Sequence, residues 1–247
     1  MVLYAMWLRQ VKKYWRSKPR MIAQLGQPIL FLVAFGFGFG SIYAKASGGN
    51  YIQFLAPGII AMSVLFTAMF TGIEVIMDRQ FGFLKETLVA PVSRFKIFLC
   101  RTLGGATVAS IQGLLVFLIT LLIGFRPSNL AQLPLVVLFI FIIAFMFTAF
   151  GTALASKLDD MQAFPLIMNF LVMPIFFLSG ALFPLDSAPN AIQLISKINP
   201  LSYGVDGLRE SLIGVSHIGT VIDLGVLLAV TAALTALGSY FFSKIEI

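Results

Sequence analysis

A chain of 247 residues that is 59% hydrophobic and only 11% charged is not a water-soluble domain, which carries about 25% charged residues. A single cysteine, Cys100, and a single histidine, His217, exclude an internal disulfide and any Cys- or His-rich metal cluster. The net charge of +7 does not mark a nucleic-acid binder: six of the 17 Lys and Arg lie in Arg9–Arg20 and five in Arg79–Arg101, each beside a long apolar run, which is the pattern of a positively charged membrane face.

Projected as a helix, Met1–Ser17 gathers Leu3, Tyr4, Trp7, Leu8, Val11, Tyr14 and Trp15 on one arc of roughly 140°. Arg9, Lys12, Lys13 and Arg16 fall on a separate arc of roughly 100°. Aromatics on one face and cations on another predict an amphipathic helix lying in the membrane interface. The segment lacks an apolar core followed by a small-residue cleavage site, so no cleavable signal is expected.

A membrane span needs about 20 mostly apolar residues. The uncharged run Met21–Ala44 is span one, and Phe54–Met77 is span two, after a loop at Ser47-Gly48-Gly49-Asn50. Thr102–Phe125 and Pro127–Ser156 are spans three and four, parted by Arg126-Pro127-Ser128-Asn129. Met161–Leu185 is span five and Leu224–Ser243 span six. The expected fold is all-α, with six transmembrane helices in a single domain over residues 1–247. Six spans put both termini on one side. With the N-terminus in the cytoplasm, thirteen basic residues lie inside and four (Lys45, Arg126, Lys197 and Arg209) outside, so both termini are expected to be cytoplasmic. Asp186–Asp223, with Pro189 and Pro200, is too polar to span and too apolar for a free loop. It is expected to fold as a compact external or re-entrant cap of short helices.

Between spans two and three runs Asp78-Arg79-Gln80-Phe81-Gly82-Phe83-Leu84-Lys85-Glu86-Thr87-Leu88-Val89-Ala90-Pro91-Val92-Ser93-Arg94. This stretch resembles the cytoplasmic loop of ABC-2 type transporter permeases, the membrane subunits of type V exporters, particularly the drug- and antibiotic-exporting kind. The likeness extends along the chain in order. Trp7–Leu30, with its Gln27-Pro28 step, looks like the family's interfacial helix and first span. Phe176–Leu185 looks like its span-five exit, and Asn199-Pro200-Leu201-Ser202-Tyr203 like its external helix.

The resemblance implies a homodimer or close heterodimer of six-span subunits in a prokaryotic inner membrane, bound to two ATPase subunits on the cytoplasmic side. ATP and Mg would belong to those partners, and this chain, without a phosphate-binding loop, would carry no cofactor and hydrolyse nothing itself. Region 81–91 would be the coupling helix. Its residues suit that role: Phe81, Phe83 and Leu84 offer an apolar knob, Gly82 permits close backbone approach, Lys85 and Glu86 can pair across an interface, and Thr87 completes the turn before Pro91.

Glu74 and Asp78 end span two on one helix face, and Arg101 begins span three. A Glu74–Arg101 pair, with Asp78 as the alternative partner, would tie the docking loop to the spans. Gly36-Phe37-Gly38-Phe39-Gly40 follows no strand and lacks the Lys-Ser/Thr of a phosphate loop, so Gly36 and Gly40 read as a helix-packing face. Asp159-Asp160 reads as a solvated turn rather than half of a Mg²⁺ site, and His217 as isolated. Phe35 and Phe39 in span one, Met62 and Phe66 in span two, and Asn169, Met173 and Phe176 in span five are candidates for a substrate path. Flexible Met and Phe surfaces adapt to varied ligands. The competing class is a secondary transporter or channel driven by an ion gradient, which would want charged relays at mid-membrane. The spans are nearly free of charge.

Overall fold

The computed structural model describes residues 2–47, 49–89, 91–158, 160–185 and 188–245, and within them every side chain except those of Val2, Leu3, Ser41, Ala44, Ala46, Ser47, Lys85 and Leu88. Among the described residues every regular element is helical. Helix α1 (Val2–Arg16) lies against the bundle, and α2 (Lys18–Gly38) follows after Ser17, with Pro19 in its first turn, where a missing N–H costs nothing. A short α3 (Gly40–Ser47) precedes α4 (Tyr51–Phe70), whose first turn is capped by the Asn50 side chain accepting from the Ile52 N–H at 3.0 Å. Helices α5 (Ile73–Gln80) and α6 (Phe83–Val89) lead to the 30-residue α7 (Arg94–Ile123), which ends on Gly124 at φ +118°. A 3₁₀ turn at Leu130–Gln132 opens α8 (Leu133–Ala155). The chain then forms α9 (Ala163–Phe177), α10 (Asn190–Ile198), α11 (Pro200–Ile213) and α12 (Thr220–Ser243).

Among the described residues, five helical stretches are long and apolar enough to cross a membrane: α2, α4 with α5, α7, α8 with its opening turn, and α12. Expected span five contributes only the 15 residues of α9. At 1.5 Å per residue α9 is about 22 Å long, short of the ~30 Å hydrocarbon thickness. Its C-terminus is completed from outside the helix: the Asn199 side-chain amide donates to the Ile175 carbonyl at 2.6 Å, filling an acceptor that a helix end leaves open. The junction of α10 and α11 therefore packs back onto α9. The cap expected over Asp186–Asp223 is thus a packed pair of helices, with Asp186 and Ser187 outside the described residues.

The core is α4, surrounded by α7, α8 and α11. Leu55, Ile59, Ile60, Leu65 and Met69 of α4 are fully buried, whereas α2 and α12 present most of their length outward. Apolar side chains gain nothing by leaving lipid for one another, so close backbone approach supplies the packing. Gly72, in the turn between α4 and α5, meets Gly151 of α8 so closely that a Cβ on it would lie 2.4 Å from the Gly151 carbonyl oxygen. That approach lies at the turn where expected span two passes from α4 into α5. Of the packing face expected on Gly36 and Gly40, the structure shows one half packed within this chain. Gly36 abuts Ile52, whereas α2 ends at Gly38 and among the described residues nothing lies within 4 Å of a Cβ at Gly40. At the end of the bundle that carries α6, Arg94 donates to the carbonyls of Ser243 at 3.0 Å and Ile245 at 2.7 Å, clamping the end of α12 to the start of α7.

Candidate functional site

Two features converge at the α6 end, a chain of charges and a groove. Gly82, at φ +80°, turns the backbone out of α5 and into α6. Phe81 (65% exposed) and Phe83 (48%) then project from the protein, with Glu86 and Val89 exposed beside them. Leu84 does not join them. At 2% exposure it is part of the core, because successive helix positions lie about 100° apart and the face opposite Phe83 must turn inward. The apolar knob is therefore Phe81, Phe83 and Val89 rather than Phe81, Phe83 and Leu84. The Thr87 hydroxyl is spent within α6, donating to the Phe83 carbonyl at 3.0 Å. The Lys85 side chain and Asp159 lie outside the described residues.

Arg9 of α1 lies over the Phe83 ring, its guanidinium carbon 5.5 Å from the centroid. The same guanidinium donates to Asp78 Oδ1 at 2.8 Å. The other oxygen of Asp78 accepts from Arg101 Nη2 of α7 at 2.7 Å, and both Asp78 and Arg101 are buried. An unbroken series of contacts thus runs from an exposed aromatic on α6, through α1 and α5, into α7. The preferred Glu74–Arg101 pairing is corrected: Arg101 takes Asp78, and Glu74 accepts from Arg20 at 3.1 Å and lies 3.6 Å from Lys13. The reason is helical register. Arg9 and Lys13 are four residues apart on α1, Glu74 and Asp78 four apart on α5, and the two pairs match as a ladder.

Two aromatics expected in the lipid interface instead anchor α1 to α7. The Trp7 indole N–H donates to Thr107 Oγ1 at 3.0 Å, and the buried Tyr14 hydroxyl donates to the Gln112 side-chain oxygen. Burial pushes the Tyr14 hydroxyl above its ordinary pKa, with Arg20 pulling weakly the other way. Tyr4 and Trp15 stay exposed.

Beside this ladder a groove of about 420 Å³ opens between α2 and the second half of α4. Met62, Phe66 and Phe70 make its apolar wall; Arg20, Gln24, Gln27, Ser63 and Thr67 supply its polar side. The side-chain oxygens of Gln24 and Ser63 have no hydrogen-bond partner. Of the residues read as a substrate path, Met62 and Phe66 line this groove. Phe35 and Phe39 stack at 5.6 Å farther along α2, and Phe31 bridges from Phe35 at 5.3 Å to buried Phe176 of α9 at 6.4 Å. Met173 is half-buried, and Asn169 is exposed; neither lines the groove. Arg9, Gln24 and Ser63 belong to the site; the sequence marked Arg9 only as part of the cationic arc of α1 and did not mark the other two. The paired four-residue spacing was the available signal for Arg9, and none existed for the other two.

The ABC-2 type transporter family matches residues 1–213. Over 248 residues the chain is 30% identical to the putative transport permease ycf38 of Porphyra purpurea, covering 94% of this chain and 84% of that protein. The ycf38 protein of Cyanophora paradoxa is 32% identical over 192 residues, covering 76% and 66% respectively. The inner membrane transport permease YadH of Escherichia coli K12 is 28% identical over 239 residues, covering 94% and 90%.

Proposed function

This chain belongs to the ABC-2 type transporter family, and from that premise we propose that it is the permease half of an ATP-driven exporter whose ATPase is a separate polypeptide. The observation that carries the coupling part of this reading is the series Phe83–Arg9–Asp78–Arg101. Phe81, Phe83 and Val89 form an exposed apolar patch too small to bury itself, with Glu86 beside it for orientation. An ATPase closing on ATP would push this patch, and the charges behind it would carry the displacement to α7 without crossing lipid. Buried ion pairs resist stretching because separation leaves charges unpaired in a low dielectric.

The groove beside the ladder is the proposed entrance for cargo. Its apolar wall takes a hydrocarbon or aromatic body, and its polar side, with Gln24, Gln27 and Thr67, suits a polar head. Arg20 is already held by Glu74, so an uncharged hydroxyl- or amide-bearing head fits better than a strong anion. The cargo is an amphiphile of the drug, lipid or glycolipid kind, moved outward by six spans per subunit, with α9 as the short fifth. Two copies, or one copy and a homologous permease, work with two ATPases. The exposed apolar faces of α2 and α9, including Leu30, Phe37, Leu166 and Phe170, are what such a pairing would cover.

The purified chain should turn over no ATP, and co-expression with its cognate ATPase should give a membrane complex whose turnover rises with cargo. Hydrolysis that stays with the isolated chain through further purification overturns the reading. Orientation is tested separately. A cysteine replacing exposed Ser128, before α8, should label from outside intact cells, and one replacing exposed Ser243, at the end of α12, only after permeabilisation. The reverse pattern would put α6 on the face without ATP.

A further inference from the structure

Between the end of α1 and the first turn of α2 opens a cleft of about 640 Å³, lined by Arg9, Lys12, Lys13, Arg16, Ser17 and Pro19. Two of its four cations are already engaged. Arg9 donates to Asp78 at 2.8 Å, and Lys13 lies 3.6 Å from Glu74. Those carboxylates have no charge to spare, because Asp78 also holds Arg101 and Glu74 also holds Arg20. Two negative charges thus face four positive ones before Lys12 and Arg16 are counted. Lys12 and Arg16 are exposed, and among the described residues neither forms a salt bridge. They lie four residues apart on α1 and so share one face, with Trp15 beside them. Lys18, at the start of α2, is exposed as well.

Depth decides what this charge meets. Helix α2 is long and apolar enough to cross a membrane, and no charged residue follows Arg20 until Lys45. Ser17 and Pro19 therefore stand where a span enters the headgroup layer, the level of the lipid phosphates. Trp15 is 63% exposed, and Ile22, one turn into α2, is 69% exposed. Trp collects at membrane–water interfaces, and Ile suits the hydrocarbon just inside them. We propose that this cleft binds the anionic headgroup of a membrane phospholipid, seated on Lys12 and Arg16 with its tails beside the first turns of α2. An acidic protein surface would match the charge alone. A lipid matches the charge, the depth and the exposed Trp15 and Ile22. The arrangement requires only that α2 spans the membrane, whatever the cargo and wherever the ATPase docks.

The test uses the full chain in dodecyl maltoside micelles, which carry neither phosphate nor net charge. Phosphatidylglycerol is titrated beside phosphatidylcholine, which has the same phosphate but no net charge, and retained lipid is read by native mass spectrometry. Expected is one saturable phosphatidylglycerol per chain that phosphatidylcholine does not match, weakening as salt is raised because the cleft is open to solvent. Lys12→Gln and Arg16→Gln should each lower the affinity about fivefold, and the double variant about thirtyfold, as two surface cations near anionic lipid imply. Both side chains are exposed and outside the Glu74 and Asp78 contacts, so the variants should fold, with melting temperature as the check. Lys197→Gln, which removes an exposed cation from α10, should leave binding unchanged. Equal retention of the two lipids, or an equal loss in Lys197→Gln, overturns the proposal and leaves only the net charge of the protein. Phosphatidylglycerol binding that survives in the double variant overturns it too; if that variant also loses co-purifying ATPase, the cleft faces an acidic protein surface instead.

Discussion

Asp78→Asn is expected to cost the folded protein about 3–5 kcal/mol, the penalty for removing one partner of a buried ion pair. Asp78 accepts from two guanidinium groups: Arg9 at 2.8 Å and Arg101 at 2.7 Å bond to its separate oxygens. Arg101 is buried, so neutralising Asp78 leaves a cation that water cannot reach. Glu74 cannot take over, because Arg20 and Lys13 already hold it. In a chain of this size the loss corresponds to a fall in melting temperature of about 6–20 °C. Two further variants separate charge from packing. Arg101→Met in the Asp78→Asn background removes the orphaned charge and should recover most of the stability, since replacing both members of a buried pair is often neutral. Arg9→Gln should cost much less, because half of that side chain is exposed. Thermal unfolding of the purified chain in detergent reads all three. If Asp78→Asn melts within a degree or two of the parent, the buried triad is not what holds α5 to α7. The series of contacts proposed for coupling then loses its middle link.

The apolar runs made the helices legible, because length and lack of charge are local properties. Expected spans three and six overlap α7 and α12 over nearly their whole length. Where tertiary contact decides, the sequence was less informative. Nothing local in Thr71-Gly72 says that α8 will approach the turn between α4 and α5 so closely, since its partner there is Gly151, far along the chain. Span five was drawn through Leu185, but α9 stops at Phe177, where Pro174, the turn at Gly180 and the amide of Asn199 take over. For the site, Glu74, Asp78 and Arg101 were readable as charges beside hydrocarbon, which are rarely idle. Their partners were not, because the same two carboxylates can be satisfied by several pairings. Choosing among them requires knowing that α1 lies along α7, fixed by Trp7 on Thr107 and Tyr14 on Gln112. The amphipathic pattern of α1 was visible, but a face of Trp and Tyr suits lipid and protein equally well.

Leu84 and Phe83 are neighbours in sequence, and truncating each should give opposite phenotypes. Leu84→Ala deletes a side chain that is 2% exposed in the core beneath α6. A loss of about 2–5 kcal/mol of stability is expected, as for other buried Leu to Ala changes. The isolated chain should show it with no ATPase present. Phe83→Ala removes a side chain that is half exposed and touches its own chain partly through the Arg9 guanidinium. Stability of the isolated chain should therefore change little. If Phe83 is an anchor for the ATPase, its truncation costs about 2 kcal/mol at the interface, which is roughly a thirtyfold weaker complex. Phe81→Ala should act in the same direction, being the more exposed of the two rings. Glu86→Lys should weaken assembly through charge rather than contact, and a compensating charge change on the ATPase should restore it. Two measurements on each variant resolve the matter: melting temperature alone, and the amount of ATPase that co-purifies at limiting concentration. Leu84→Ala should move the first and Phe83→Ala the second. Unaltered co-purification in Phe81→Ala, Phe83→Ala and Glu86→Lys alike would make α6 an ordinary surface helix. The contact would then fall to the cationic face of α1, where Lys12 and Arg16 remain exposed.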